Sequence, residues 1–182
     1  MKRFLLFTVL VSVLVSCSAK KQIEQAISHG NYDQAISEAL RKLENNKDKK
    51  RKHAYVIMLK DAYDKVLQED LAYINHLKKD GNETYYKTIY ETYVDLEARQ
   101  NAIKRILPLQ VNGREISFVF NDYSSELVDY RYKTSDYLMD KGLDLLDTED
   151  KISAREAYNL FDYVDSINLN YHNKFIIYSL TV

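Results

Sequence analysis

The sequence predicts an all-α fold with one small β-hairpin inserted near residues 109–120. Three observations carry this. The 182 residues include one proline and four glycines, so long stretches contain no helix breaker. Apolar side chains recur at intervals of three and four over most of the chain, the spacing of one buried helical face. The pair Asn112-Gly113 stands between short alternating runs, a strong hairpin signal, because both residues readily take the positive φ that a tight two-residue turn requires.

The first seventeen residues differ in character from everything after them. Lys2 and Arg3 precede an apolar run from Phe4 to Val15, and Ser16 and Cys17 follow. Charged, apolar, then small is the layout of an export signal, here residues 1–16. Twelve residues of helix span about 18 Å against a hydrocarbon core of about 30 Å, too short for a stable membrane span. The run Leu14-Val15-Ser16-Cys17 resembles the lipobox of bacterial lipoproteins: an aliphatic residue, a tolerant position, a small residue and an obligatory cysteine. The resemblance implies cleavage between Ser16 and Cys17, a diacylglyceryl group on the Cys17 sulfur, and an acylated (palmitate-type) new amino end. A thiol suits that chemistry because it attacks a lipid donor near neutral pH, which a serine hydroxyl does poorly. Cys17 is the only cysteine, so the mature chain forms no internal disulfide and its stability must come from packing.

Residues 17–19 leave little tether before helical spacing begins at Ile23, Ala26 and Ile27. Gly30 ends that helix, and Asn31 with Gln34 reads as a capping pair that opens a second one through Ala35, Ile36, Ala39, Leu40 and Leu43. Polar residues 45–48 then lead into Tyr55, Met58, Leu59, Ala62, Val66, Leu67, Leu71, Ile74 and Leu77, one stripe of a long helix or of two in line. Lys78, Lys79 and Gly81 mark its end: cations meet the negative pole and glycine takes the left-handed turn. Asn82 caps the next helix, with Tyr86, Ile89, Tyr90, Tyr93 and Leu96 on one face. After Pro108 the period changes to alternation, through Leu109 to Val111 and then Ile116, Phe118 and Phe120. A lone hairpin is marginal in water, so it must lie on the helices or gain a third strand. Helical spacing resumes from Leu127 to Leu146, and Ser153 with Glu156 forms a capping box for a last helix. In the tail at 172–182, the run from Phe175 to Val182 is uncharged and rich in strand formers. Either it adds a strand to the hairpin or the chain is part of something longer; the lack of a polar cap favours the second.

Polar breaks near Asn46 and Asp80 lie one tetratricopeptide period apart, framing units at 16–49 and 50–83. Gly30-Asn31-Tyr32-Asp33-Gln34-Ala35-Ile36 resembles the start of the second helix of such a repeat, and Ala157 with Phe161 matches its small-then-aromatic spacing. Ala35 and Ala157 fall in register if residues 103–122 are an insertion. The repeat's tryptophan and Leu-Gly are absent, and Leu169 stands where proline is usual. The resemblance covers 20–46 and 152–171 and implies antiparallel helix pairs, as a solenoid or a bundle, over residues 20–171.

Composition narrows the function. Removal of residues 1–16 leaves 166 residues, with 24 basic and 27 acidic side chains and a net charge of about −3, which disfavours nucleic acid as a partner. His29, His53, His76 and His172 lie in four separate segments without metal-ligand spacing. Asp147 to Asp150 lacks the alternating oxygens and glycine of a calcium loop and reads as a solvated turn. No phosphate loop, nucleophile elbow or linked triad appears, so neither a catalytic residue nor a cofactor or metal is expected. The basic run from Lys47 to His53 reads as a solvated loop and first helical turn, with contact to anionic headgroups as the alternative. Sixteen tyrosines divide between a packing stripe at Tyr86, Tyr90 and Tyr93 and rings such as Tyr85, Tyr130 and Tyr132 that could stack on a ligand. The expectation is a non-catalytic lipoprotein of the cell envelope, in the outer membrane of a Gram-negative bacterium, that scaffolds another envelope protein. The alternative is a nutrient- or glycan-binding lipoprotein.

Overall fold

The computed structural model describes residues 19–148, 150–169 and 171. The expected signal segment at 1–16, Cys17, His172 and the apolar tail lie outside them. The chain is mostly helical with one inserted two-stranded antiparallel hairpin, as expected. Residues 19–28 form α1, followed by α2 (Tyr32–Leu43), α3 (His53–Asp80), α4 (Tyr86–Lys104), β1 (Gln110–Val111), β2 (Arg114–Glu115), α5 (Ser124–Leu146) and α6 (Lys151–Ile167). Single 3-10 turns at Lys50–Lys52 and Glu83–Tyr85 lead into α3 and α4.

Contacts divide the chain into two units, Met1–Leu71 with Ala98–Phe120, and Ala72–Glu97 with Asn121–Val182. Within the first, Ile23, Ala26, Ala35, Ala39, Leu43, Leu59 and Ala62 are buried, as the helical spacing requires. The α1–α2 turn is a Schellman motif: the Asn31 N–H donates to Ala26 O at 2.8 Å and the Gly30 N–H to Ile27 O at 3.2 Å, with Gly30 at φ +75, a conformation that glycine takes at no steric cost. This corrects the expected capping pair. Asn31 sits at the N-cap but has ψ 61 and makes no side-chain cap bond, because the turn's own backbone bonds hold it away from the extended angle that such a bond needs.

In the hairpin, Gln110 pairs with Glu115 and Val111 with Arg114. Asn112 at φ 52 and Gly113 at φ 76 make the turn. One further backbone bond, from the Ile116 N–H to Leu109 O at 2.9 Å, closes the hairpin, short of the expected run to Phe120. Alternation nonetheless continues, with Ile116, Phe118 and Phe120 half-buried and Ser117 and Val119 exposed, since this segment lies on α3 instead of on a third strand. Tyr63, 1% exposed, meets Phe118 edge-on at 5.7 Å and Phe120 at 6.2 Å and donates its hydroxyl to Val119 O at 2.6 Å. Arg99 ties three helices of this unit together. Its Nε and Nη2 donate to the two Asp33 carboxylate oxygens at 2.5 and 3.1 Å, and its Nη1 donates to Asp70 at 2.5 Å. Burial lowers the Arg99 pKa, and the bonds to both carboxylates more than offset it.

In the second unit, α5 and α6 pack closely around Leu138, Met139, Val164 and Tyr171. Ala157 is fully buried, and the Phe161 ring lies over Gly142, where a Cβ would stand 2.3 Å from the ring edge. The cap of α6 differs from the expected box. Asp150 is the N-cap and accepts from the Ile152 and Ser153 N–H groups at 3.0 and 3.1 Å. A carboxylate beside the helix's positive pole is the stronger acceptor, so Ser153 falls inside the helix as a donor. Residues 50–83, the second repeat frame, hold one nearly continuous helix, α3, and not a pair.

Candidate functional site

The second unit carries a groove of about 530 Å³ between the Glu83–Tyr85 turn, the first residue of α4 and one face of α5. Its α5 wall is built by helical spacing, since Lys133, Asp136, Tyr137, Asp140, Lys141 and Asp144 fall three or four residues apart and share a face. Asn82 sets the opposite wall. Its side chain accepts from the Thr84 N–H at 3.0 Å, as expected of a cap, and Glu83 and Tyr86 follow it into the groove.

The ring of Tyr86 is fixed by edge-on contacts with Tyr130 at 6.1 Å and Tyr137 at 6.5 Å. Tyr93 extends the cluster to Tyr123 at 5.4 Å and Tyr130 at 6.1 Å. Lys78 lies 5.0 Å from the Tyr93 ring and 5.1 Å from Tyr130, and it donates to the Tyr93 hydroxyl at 2.7 Å. These rings therefore form packing backed by cation–π contact. Tyr130, expected among the possible stacking rings, is buried. Of the others, Tyr132 is on the surface beside Tyr171 at 6.4 Å and Tyr85 is half-buried. Tyr86 and Tyr137 are the rings that face the groove.

The charges of the groove are unevenly satisfied. Lys133 donates to Asp129 at 2.7 Å and lies over the Tyr130 ring at 4.9 Å, while Lys141 is 3.6 Å from Glu156. Among the described residues, no hydrogen bond or ion pair engages the side chains of Glu83, Asp136, Asp140 or Asp144. Asp136 has its pKa raised, first by partial desolvation and then by the like charge of Asp140. Charge repulsion one turn apart is thus concentrated on the wall of a cavity. The signal for this wall in the sequence is the four-residue spacing of Asp136, Asp140 and Asp144, which is part of no catalytic, metal or cofactor motif in this chain.

The other expected features fall elsewhere. His29, exposed, approaches Gln25 O at 2.6 Å, and His53 opens α3 while His76 lies in its last turns. Among the described residues no three His, Cys, Asp or Glu side chains gather to hold a metal ion. Asp147 caps the end of α5 and Asp150 the start of α6, the interhelical turn foreseen. In the basic run, Lys47 donates to Ile106 O at 2.6 Å and Lys52 donates to Lys42 O, while Lys49, Lys50 and Arg51 stay exposed. A second, polar groove of about 380 Å³ on the first unit is lined by Gln22, Gln25, Asn31 and Gln34 with His29 and Glu38. Its one carboxylate is already paired with Arg41 at 2.5 Å.

No family model, curated protein or solved structure matches the chain.

Proposed function

We propose that this chain is a lipid-anchored protein of the bacterial cell envelope, set in the outer membrane of a Gram-negative cell, whose helical part binds another envelope protein without catalysing a reaction. The observation that carries the anchor is Leu14-Val15-Ser16-Cys17 placed directly behind two cations and an apolar run. Each buried methylene contributes about 0.8 kcal/mol, and two or more acyl chains hold a protein stably where one does not. Among the described residues no helix is long and apolar enough to cross a membrane. The binding half of the reading is supported by the groove, which combines aromatic walls with unpaired charge.

Cell fractionation tests it. Cys17→Ser in the native host is expected to release the protein from the membrane fraction and to block processing after Ser16, whereas the unaltered protein stays with membranes through a high-salt wash. Affinity recovery from detergent-solubilised membranes is expected to bring down a defined envelope protein. A protein that remains membrane-bound as Cys17→Ser, or that is recovered alone under mild conditions, contradicts the corresponding half.

A further inference from the structure

We infer that the groove between the Glu83–Tyr85 turn and α5 receives an extended segment of the partner protein that carries Lys or Arg side chains. This rests on the protein-binding reading above and names the chemistry of the partner. Four carboxylates, Glu83, Asp136, Asp140 and Asp144, line the groove with no hydrogen bond or ion pair to their side chains among the described residues, while the two lysines of the same lining, Lys133 and Lys141, are paired with Asp129 and Glu156. Elsewhere the helices place opposite charges at four-residue spacing, as in Lys60–Asp64, Lys65–Asp61 and Lys87–Glu91, the arrangement that stabilises a helix. On the groove face of α5, Asp136, Asp140 and Asp144 instead place like charges at that four-residue spacing, an arrangement that is unfavourable in a helix. An incoming cation converts that repulsion into attraction. Each long apolar stem can lie on Tyr86 or Tyr137 while its charged end reaches a carboxylate. Successive acidic groups on α5, four residues and so about 6 Å apart along the helix, suit a chain that presents side chains on one side at every second residue, about 6.8 Å apart.

The test uses the mature lipidated protein in non-ionic detergent micelles, and the Cys17→Ser chain in parallel, so that failure of the anchor and failure of the groove are read separately. A fluorescein-labelled peptide with Lys and Arg at alternate positions is titrated by anisotropy, with its Glu-substituted counterpart and spermidine as comparison ligands. We expect the cationic peptide to bind both proteins and the acidic peptide to bind neither. Asp136→Asn/Asp140→Asn is expected to weaken binding at least ten-fold. Asp162→Asn/Asp165→Asn on α6 changes net charge equally and is expected to shift it less than two-fold. Circular dichroism of both variants verifies that the helices persist. Equal loss from the two double variants overturns the inference, because attraction is then only bulk charge. Spermidine binding as tightly as the peptide overturns it in favour of a small-amine site. Self-association that the groove variants abolish overturns it in favour of a second copy docking through Lys49, Lys50 and Arg51.

Discussion

Tyr63 shows how one side chain positions a segment that has no regular structure of its own. Its ring is held by Phe118 and Phe120 and its hydroxyl by Val119 O, so Tyr63→Phe should cost about 1 kcal/mol and Tyr63→Ala about 3–5 kcal/mol in urea unfolding. Arg99 gathers Asp33 and Asp70 with its own side chain 11% exposed. Arg99→Met should lower stability by about 2 kcal/mol, the scale of hydrogen bonds to charged groups. Lysine should rescue little of this, since it cannot make the paired contact to Asp33. Thr134 is the converse case. It is fully buried and its hydroxyl has no partner among the described residues, so Thr134→Val should leave stability unchanged or raise it by up to about 1 kcal/mol in thermal unfolding. Asp136 gives a signed pH effect. Its folded pKa is raised, so the folded state holds the extra proton between the ordinary carboxylate value and that raised value. Stability therefore falls as pH rises through that window, and the penalty is full at neutral pH. Asp136→Asn should stabilise the free protein at pH 7 and remove this dependence. A pH series of melting temperatures in which the variant tracks the parent would refute it.

At the scale of elements, much was readable and the misses share a cause. Helices α2, α3, α4 and α5 follow from apolar spacing, because a side chain every third or fourth residue has one face to bury whatever it packs against. The Asn112-Gly113 turn follows from backbone sterics alone. Helix starts were harder, since several polar residues in a row compete for the same free N–H groups. Asp150 wins over Ser153 by its charge, and Asn31 loses its cap bond to the turn of Gly30. Because Asp150 has its pKa lowered by the N–H groups of Ser153 and Ile152, its stabilisation of α6 is present above the ordinary carboxylate pKa and is lost as pH falls through the lower folded value. Asp150→Ala should fray the start of α6 at pH 7, measured by amide exchange, and should have no added effect at strongly acid pH. At the α5–α6 contact, Gly142→Val should destabilise by about 1–3 kcal/mol because the Phe161 ring must leave its seat.

For the molecule as a whole, the division into two units could not be read from the chain, because α3 and α4 run unbroken through two of the places where the contacts divide, at Leu71 and Glu97. No glycine or proline marks either place. The groove was half legible: the acidic spacing on α5 is plain in the residues, but its meaning arises only when Glu83 and Tyr86 are folded against that face. The proposed anchor is the opposite case. It rests on four consecutive residues, Leu14 to Cys17, independently of the fold, and the proposal of where this protein acts depends on it. Mass spectrometry of the amino-terminal peptide of the protein purified from its native membrane tests it most directly. The expected peptide begins at Cys17 and carries a thioether-linked diacylglycerol, with an acyl chain on the new amino group. A peptide that begins elsewhere, or one with Cys17 present and free of lipid, would contradict it.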